Sequence, residues 1–546
     1  MSKFIEDQHI LSPHQFAFRE DYRPSDAIFS LQSSTNYYKH KDKPVYSCFI
    51  DFSRAFPSIN RTALVYKLGN MGIKGNMLKL FINMYSTADY IIKSDGKFSV
   101  PIGSGFGVKQ GCNLSPLLFN LFVNDIHNIF EGCEPLNIND WKISSLAFAD
   151  DLVLLSETES GLRECLLRLE SYCNDWGLKV NPTKTKVVVF NKKFTKNIKN
   201  LNFSINQNPI EVTNSYRYLG VEITNMGSFS KASDILYKKA LRSLFSIYSS
   251  LDVRSDEKNT SLFMKLFDSL VKPVLLYGCE IWGSIAGNPN NVINKFVNKF
   301  YKTLLGVPQH TSTAGIHAEL GRFPIFTSIQ QTMIKFWFRL VTLPKSRLVA
   351  HCYWSLVNIN PRNNPWLNAI KNIIYSTGQQ FIWDSQVNLS ALEPKQASRH
   401  LKYICQTLQD ISLQQTCDKI GNETKLEFYR DCKPPNKFPN YLKNLFGRKK
   451  RSSLCKFRLG TLDLEIEKGR RKNIPHPNRF CKICDTKQIE DEIHFILSCP
   501  ALSTHRDPFI KNILSLHTQF AFLPNTAKIK YLYFNESLPP KTIEIS

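Results

Sequence analysis

The sequence predicts an α+β chain with a strand-bearing first part and a helical remainder. Two patterns point there. Short apolar, β-rich runs lie before residue 225: VYSCFI at 45–50, the pair flanking Ala149-Asp150-Asp151, VVVF at 187–190 and YRYLGVEIT at 216–224. From about 230 to about 420 the apolar spacing is helical, with proline-containing breaks near 307, 344 and 361–365. The chain has 546 residues, 42% hydrophobic and 12% aromatic, which excludes a wholly disordered protein and suggests about three to five domains.

In chain order, residues 45–60 begin as a strand and become mixed after Asp51. Residues 114–130 carry apolar residues at helical spacing. Two short apolar runs at 143–156 read as a hairpin with its turn at Ala149-Asp150-Asp151. Residues 161–176 form an amphipathic helix with Leu162, Cys165, Leu166, Leu169 and Trp176 on one face. VVVF is a short strand, and 216–224 a second hairpin. There is no internal repeat and no low-complexity tract.

Charge narrows the function classes. Seventy Lys+Arg against 46 Asp+Glu leave a net charge of +24, which favours a polyanionic partner, most often nucleic acid. No stretch approaches the ~18 apolar residues of a membrane-spanning helix, so no membrane partner is expected. Glu6 and Asp7 stand where a secretion signal needs an apolar run. Fourteen cysteines, most of them single in apolar surroundings, fit buried thiols in a reducing intracellular compartment, nuclear and cytoplasmic.

Asp51 closes an apolar strand, and Asp150 and Asp151 sit side by side at a hairpin turn. Nucleotidyl transfer needs such a set, because two Mg²⁺ ions about 3.5–4 Å apart require hard carboxylate oxygens. By themselves these residues are equally a strand end and a surface turn.

Their surroundings are more specific. FIDFSRAF at 49–56, GVKQGCNLSPLLFN at 107–120, FADD at 148–151, WGLKVNPTKTKVVVF at 176–190 and YRYLGV at 216–221 resemble, in order, motifs A to E of the reverse transcriptases of non-LTR retrotransposons (LINE-type, jockey-like). QFAFREDYRPSDAI at 15–28 resembles the fingers motif before them. KPVLLYGCEIWG at 272–283 and AELGRFPI at 318–325 resemble segments that follow the palm. These later segments, with the cysteine module described below, favour that family over group II intron-type or telomerase-type polymerases.

The resemblance implies RNA-directed DNA polymerisation with two Mg²⁺ ions, dNTPs, an RNA template and a DNA primer or target. Asp51 and Asp150 would be the principal metal ligands, with Asp151 in support and the Phe52 carbonyl contributing. Phe56 falls at the steric gate that favours dNTPs over rNTPs. Gln110 and Gly111 would line the nucleotide pocket. Lys184 would donate a proton to pyrophosphate, with a solvated surface lysine as the alternative. Arg19 and Arg23 would clamp the triphosphate.

The sequence departs from the family at Ala17, where glycine is usual, at Pro57, where an acid is usual, and at Asn113, where proline is usual. Only about 50 residues precede Asp51, and no endonuclease segment precedes it. That suggests a 5′-truncated element or partial gene, and the alternative function is an inert remnant that binds nucleic acid.

Near the C-terminus, Cys481-x2-Cys484-x9-His494-x4-Cys499 offers three thiolates and an imidazole, a set that suits one tetrahedral Zn²⁺. The alternative is a coincidence of four buried residues. The family carries a similar module after its polymerase. Residues 441–480 before it hold twelve Lys/Arg against three Asp/Glu. Arg448, Lys449, Lys450, Arg451, Arg470, Arg471 and Lys472 are the candidate phosphate contacts.

The expected architecture is a right-hand polymerase. Its palm has a small antiparallel sheet with helices on one side, and partial fingers complete residues 1–230. A helical thumb would span 231–310, a helical connector 311–440, a basic zinc-knuckle-like module 441–505 and a tail 506–546.

Overall fold

The computed structural model describes residues 2–86, 89–103, 105–109, 111–250, 260–288, 291–359, 364–391, 393–430, 437–444 and 447–534. Gln110, the proline break at 361–363 and the last twelve residues of the expected tail lie outside the described residues.

A six-stranded sheet organises the first 225 residues. Its strands are β1 (Val45–Asp51), β2 (Ser145–Phe148), β3 (Asp151–Ser156), β4 (Lys186–Phe190), β5 (Phe203–Ile205) and β6 (Asn208–Val212). They lie in the order β5-β6-β4-β1-β3-β2. All neighbours are antiparallel except β4 and β6, which run parallel. β1 is therefore central, flanked by β3 and β4.

The expected small antiparallel sheet with helices on one side is corrected in two respects. The sheet is mixed, and it is covered on both faces. Val45, Phe49, Val153, Leu155, Val188 and Phe190 join one core with α1 (Pro24–His40). Cys48, Ile50, Leu152, Leu154, Val187 and Val189 join another with α3 (Ser115–Phe122) and α4 (Glu159–Trp176), while α2 (Arg61–Asn70) packs beside α3. Burial on both faces explains why VYSCFI and VVVF read as continuous apolar runs rather than alternating ones.

Local chemistry sets the helix limits. The Thr158 side chain accepts from Gly161 N at the start of α4, and Gly177 ends it at φ +72°. The expected helix at 114–130 is α3 followed, after Val123, by a 3₁₀ segment Asn124–Phe130. The second hairpin forms from β7 (Ser215–Tyr218) and β8 (Val221–Thr224).

Helices follow from α5 (Ser230–Ser250) onward, including α6 (Val292–Leu305), α7 (Thr313–Leu320), α8 (Ile325–Thr342), α9 (Pro394–Asn422), α10 (Arg448–Arg458) and α11 (Asn525–Phe534). The helical part is fastened to the start of the chain. Arg339 of α8 forks onto the fully buried Asp26 carboxylate at 2.6 and 2.8 Å. The Tyr22 ring meets two guanidinium groups, Arg347 at 3.5 Å and Arg19 at 4.1 Å. Among the described residues no helix is long and apolar enough to cross a membrane.

Candidate active site and metal centre

β1 and β3 bring the three carboxylates together. Their register sets Asp51 opposite Asp151, and Phe148 pairs with Asp151 across the β2–β3 hairpin. Ala149 and Asp150 are thus the two turn residues, and Ala149 takes φ +56°. A two-residue hairpin favours positive φ at its first position, which a non-glycine residue adopts at some strain.

Charge and burial act together here. The Asp151 carboxyl is pushed up to about 6, first by burial and then by the charges of Asp150 and Asp51. Burial also raises Asp150, its own backbone hydrogen bond opposes, and Asp51 raises it further. The Asp151 side chain nevertheless keeps an exposed face. Three like charges at one end of the sheet's inner strands are the electrostatic condition a bound cation relieves.

The opposite side of β1 is held by the segment before β4. Asn181 N donates to Asp51 O at 2.8 Å, Ser53 N to Lys179 O at 2.7 Å and Asp51 N to Thr185 Oγ1 at 3.2 Å. Lys184 Nζ lies 3.7 Å from Asp51 Oδ2 with its side chain largely exposed.

The expected nucleotide-pocket residues divide. Phe52 is buried beside Asp51, bridged to Val180. Phe56 is half-buried and stacks on the fully buried Phe119, centroids 4.8 Å apart. Phe56 O accepts from Val108 N at 3.1 Å, which joins motifs A and B. Gly107 has φ +82°, and a Cβ there would meet Pro57 Cα and O at 2.9 Å. Only glycine fits that approach. Gly111 also has positive φ, +81°, with open space around it.

Arg19 is not brought to the site. Its side chain forks onto Glu6 at 2.9 and 2.8 Å and donates to the Ser12 carbonyl at 2.8 Å. The expectation of a phosphate clamp conflicts with this geometry, because a guanidinium so committed has its donors occupied. Arg23 is exposed at the start of α1, where its backbone N donates to Asp26 Oδ2.

The C-terminal cluster also assembles. One ligand atom from each of Cys481, Cys484, His494 and Cys499 lies within 4.8 Å of the others. Tetrahedral Zn–S bonds of about 2.3 Å set sulfur atoms about 3.8 Å apart, so the donor set fits. Gln488 Oε1 lies 2.8 Å from His494 Nδ1, which turns Nε2 toward Cys484 Sγ at 3.4 Å.

The basic stretch is less available than its composition implies. Arg470 pairs with Glu467, and Arg471 with Asp463 at 3.0 Å. Lys449, Lys450 and Lys472 are exposed, while Arg448 and Arg451 are half-buried. Sequence reasoning missed Thr185, fully buried behind Asp51, and the buried amides Gln15 and Asn120. The last two were visible as polar residues inside the apolar motifs QFAF and LLFN.

Residues 1–223 match the family described as reverse transcriptase (RNA-dependent DNA polymerase). That part of the chain is thus similar to a reverse transcriptase domain, and it lies within a helix-rich α+β structure. It is similar to the probable RNA-directed DNA polymerase from transposon BS of Drosophila melanogaster, 23% identical over 62% of this chain and 38% of that protein. It is similar also to the RNA-directed DNA polymerase from mobile element jockey of Drosophila funebris, 23% identical over 61% of this chain and 36% of that protein. The chain spans less than two-fifths of the length of those two relatives. Apo telomerase from Candida tropicalis overlaps with a TM-score of 0.33 and 13% identity, over 64% of this chain and 59% of that one.

Proposed function

We propose that this chain is the RNA-directed DNA polymerase of a mobile element, extending a DNA 3′-hydroxyl from dNTPs on an RNA template. The observation that carries the reading is the register of β1 and β3, which sets Asp51 against Asp151 with Asp150 in the turn between β2 and β3. Residues 1–230 act as fingers and palm, 231–310 as thumb, 311–440 as connector, 441–505 as the zinc-binding module and 506–546 as a tail.

Asp51 and Asp150, supported by Asp151 and the Phe52 carbonyl, would hold two Mg²⁺ ions, which supply charge neutralisation at the attacking oxygen and the leaving pyrophosphate. The 3′-hydroxyl gives up its proton to solvent as its oxygen bonds to the dNTP α-phosphorus and the bond to the bridging oxygen of the β-phosphate breaks. Lys184, exposed and free to swing from Asp51, delivers a proton to the departing pyrophosphate. The Phe56 ring, backed by Phe119, stands against a 2′-hydroxyl. Gln110 and Gly111 would line the dNTP pocket, and Arg23 would clamp the triphosphate. Lys449, Lys450 and Lys472 offer exposed charge to nucleic-acid phosphates beside a Zn²⁺ held by Cys481, Cys484, His494 and Cys499.

Primer extension with an RNA template, DNA primer, dNTPs and Mg²⁺ tests this. Extension that vanishes in the Asp150→Ala/Asp151→Ala chain is expected. Salt-sensitive nucleic-acid binding without extension would instead establish an inert binding remnant.

A further inference from the structure

The hairpin that presents Asp150 is held by a side chain from far earlier in the sequence. His14, Gln15 and Phe16 run beside β2 as a parallel bridge. Ala147 N donates to His14 O and Phe16 N to Ala147 O, both at 2.9 Å. His14 Nδ1 lies 2.9 Å from the Ser145 carbonyl. Gln15 Oε1 then accepts two backbone donors at 3.1 Å each, Ala149 N and Ala17 N. Both partners are N–H groups, so the orientation of the amide is set by chemistry. Asn120 Nδ2 of α3 donates to Ala17 O at 2.6 Å, which ties the same segment to motif B.

Two facts separate Gln15 from ordinary packing. It is 1% exposed, and its Nε2 is buried with no hydrogen-bond partner. A leucine would fill similar space without that orphaned donor, so the site retains an acceptor at a cost to stability. The acceptor is aimed at the amide of Ala149, the left-handed residue immediately before Asp150. Ordinary alanine does not favour that conformation. A hydrogen bond at its amide selects the one turn geometry that lifts Asp150 beside Asp51.

We infer that Gln15 is a positioning residue for the carboxylate site: its side-chain oxygen locks the Ala149–Asp150 turn so that the three carboxylates can share a divalent cation. This inference rests on the polymerase reading of that site.

The test uses the full chain and two variants, Gln15→Leu and Gln15→Glu, the latter keeping an acceptor oxygen where Gln15 Oε1 stands. Mn²⁺ binding is read by electron paramagnetic resonance, with binding to the Asp150→Ala/Asp151→Ala chain subtracted. Primer extension, dNTP KM, primer–template affinity and thermal midpoint are measured beside it. Gln15→Leu is expected to weaken site-specific Mn²⁺ binding at least about threefold and to lower kcat ten- to hundredfold, about 1.4–2.7 kcal/mol in barrier. Its dNTP KM and primer–template affinity stay within about twofold, and Gln15→Glu recovers most of the loss. Wild-type Mn²⁺ affinity in Gln15→Leu would overturn the inference. So would equal losses in both variants, or a loss of Mn²⁺ binding matched by the same loss of primer–template binding. If Gln15→Leu does not fold, Gln15→Glu decides: Mn²⁺ affinity near wild type supports the inference, and a loss above threefold overturns it. A wild-type chain that binds Mn²⁺ at the carboxylates but extends no primer would defeat the polymerase reading and leave the Gln15 comparison intact.

Discussion

Lowering the pH should release the divalent cation from the carboxylate site before it unfolds the chain. Asp151 is pushed from an ordinary 3.8 to about 6 by burial and by the charges of Asp150 and Asp51. Without metal, Asp151 is then about nine-tenths ionised at pH 7 and about one-tenth at pH 5. A cation binding at pH 5 must displace a proton that is largely absent at pH 7. Apparent affinity should fall close to tenfold per pH unit below about 6 for each proton displaced. Mn²⁺ affinity measured from pH 5 to 8 reads this directly. Primer extension at sub-saturating Mg²⁺ should share the acid limb, and saturating Mg²⁺ should move it to lower pH. Asp150→Asn should shift the limb further down than Asp51→Asn, because Asp150 is the larger electrostatic contributor. Stability has the opposite sign from the usual carboxylate. The folded chain binds this proton more tightly than the unfolded one, so its contribution is full below about 3.8 and is lost as pH rises through about 6. Metal affinity that stays flat between pH 5 and 7 would refute the reasoning.

Other outcomes follow from particular contacts. Glu319 is fully buried, 2.9 Å from Arg458 Nε and 2.6 Å from the Tyr441 hydroxyl. Glu319→Ala leaves that guanidinium uncompensated, and denaturant unfolding should report a loss of about 3–5 kcal/mol. Gly107→Ala drives a Cβ into the Pro57 backbone and should raise dNTP KM severalfold, since the loop before Gly111 must shift. Purified chain should contain one zinc per molecule by elemental analysis, and Cys484→Ser should abolish it while leaving the 1–223 region folded by limited proteolysis. Phe56→Val should raise incorporation of rNTPs relative to dNTPs in single-nucleotide extension; an unchanged ratio would leave Phe56 as a core ring stacked on Phe119.

Much of the site was legible because its residues are local in sequence and chemically unusual. Asp51, Asp150 and Asp151 interrupt apolar strands, and a carboxylate at a strand end is visible in any linear reading. Cys481, Cys484, His494 and Cys499 were legible as a candidate zinc set from donor type and close spacing, and folding brings their ligand atoms within 4.8 Å of one another. Arg19 misled for the converse reason. A guanidinium's partner is decided by distance in space, and Glu6 was available to take it.

By itself the sequence marked β1 to β4, the β7–β8 hairpin and the helical remainder, and which residues carry hard oxygens or soft sulfur, because periodicity and donor chemistry are properties of neighbours along the chain; the short strands β5 and β6 carried no such pattern. Only the tertiary structure decided that β4 and β6 run parallel and that the sheet is covered on both faces. It also decided that Arg470 and Arg471 are spent on Glu467 and Asp463, and that Gln15 holds the turn before Asp150. Those are contacts between segments, some of them more than a hundred residues apart, and composition carries no record of which groups folding brings within hydrogen-bond reach.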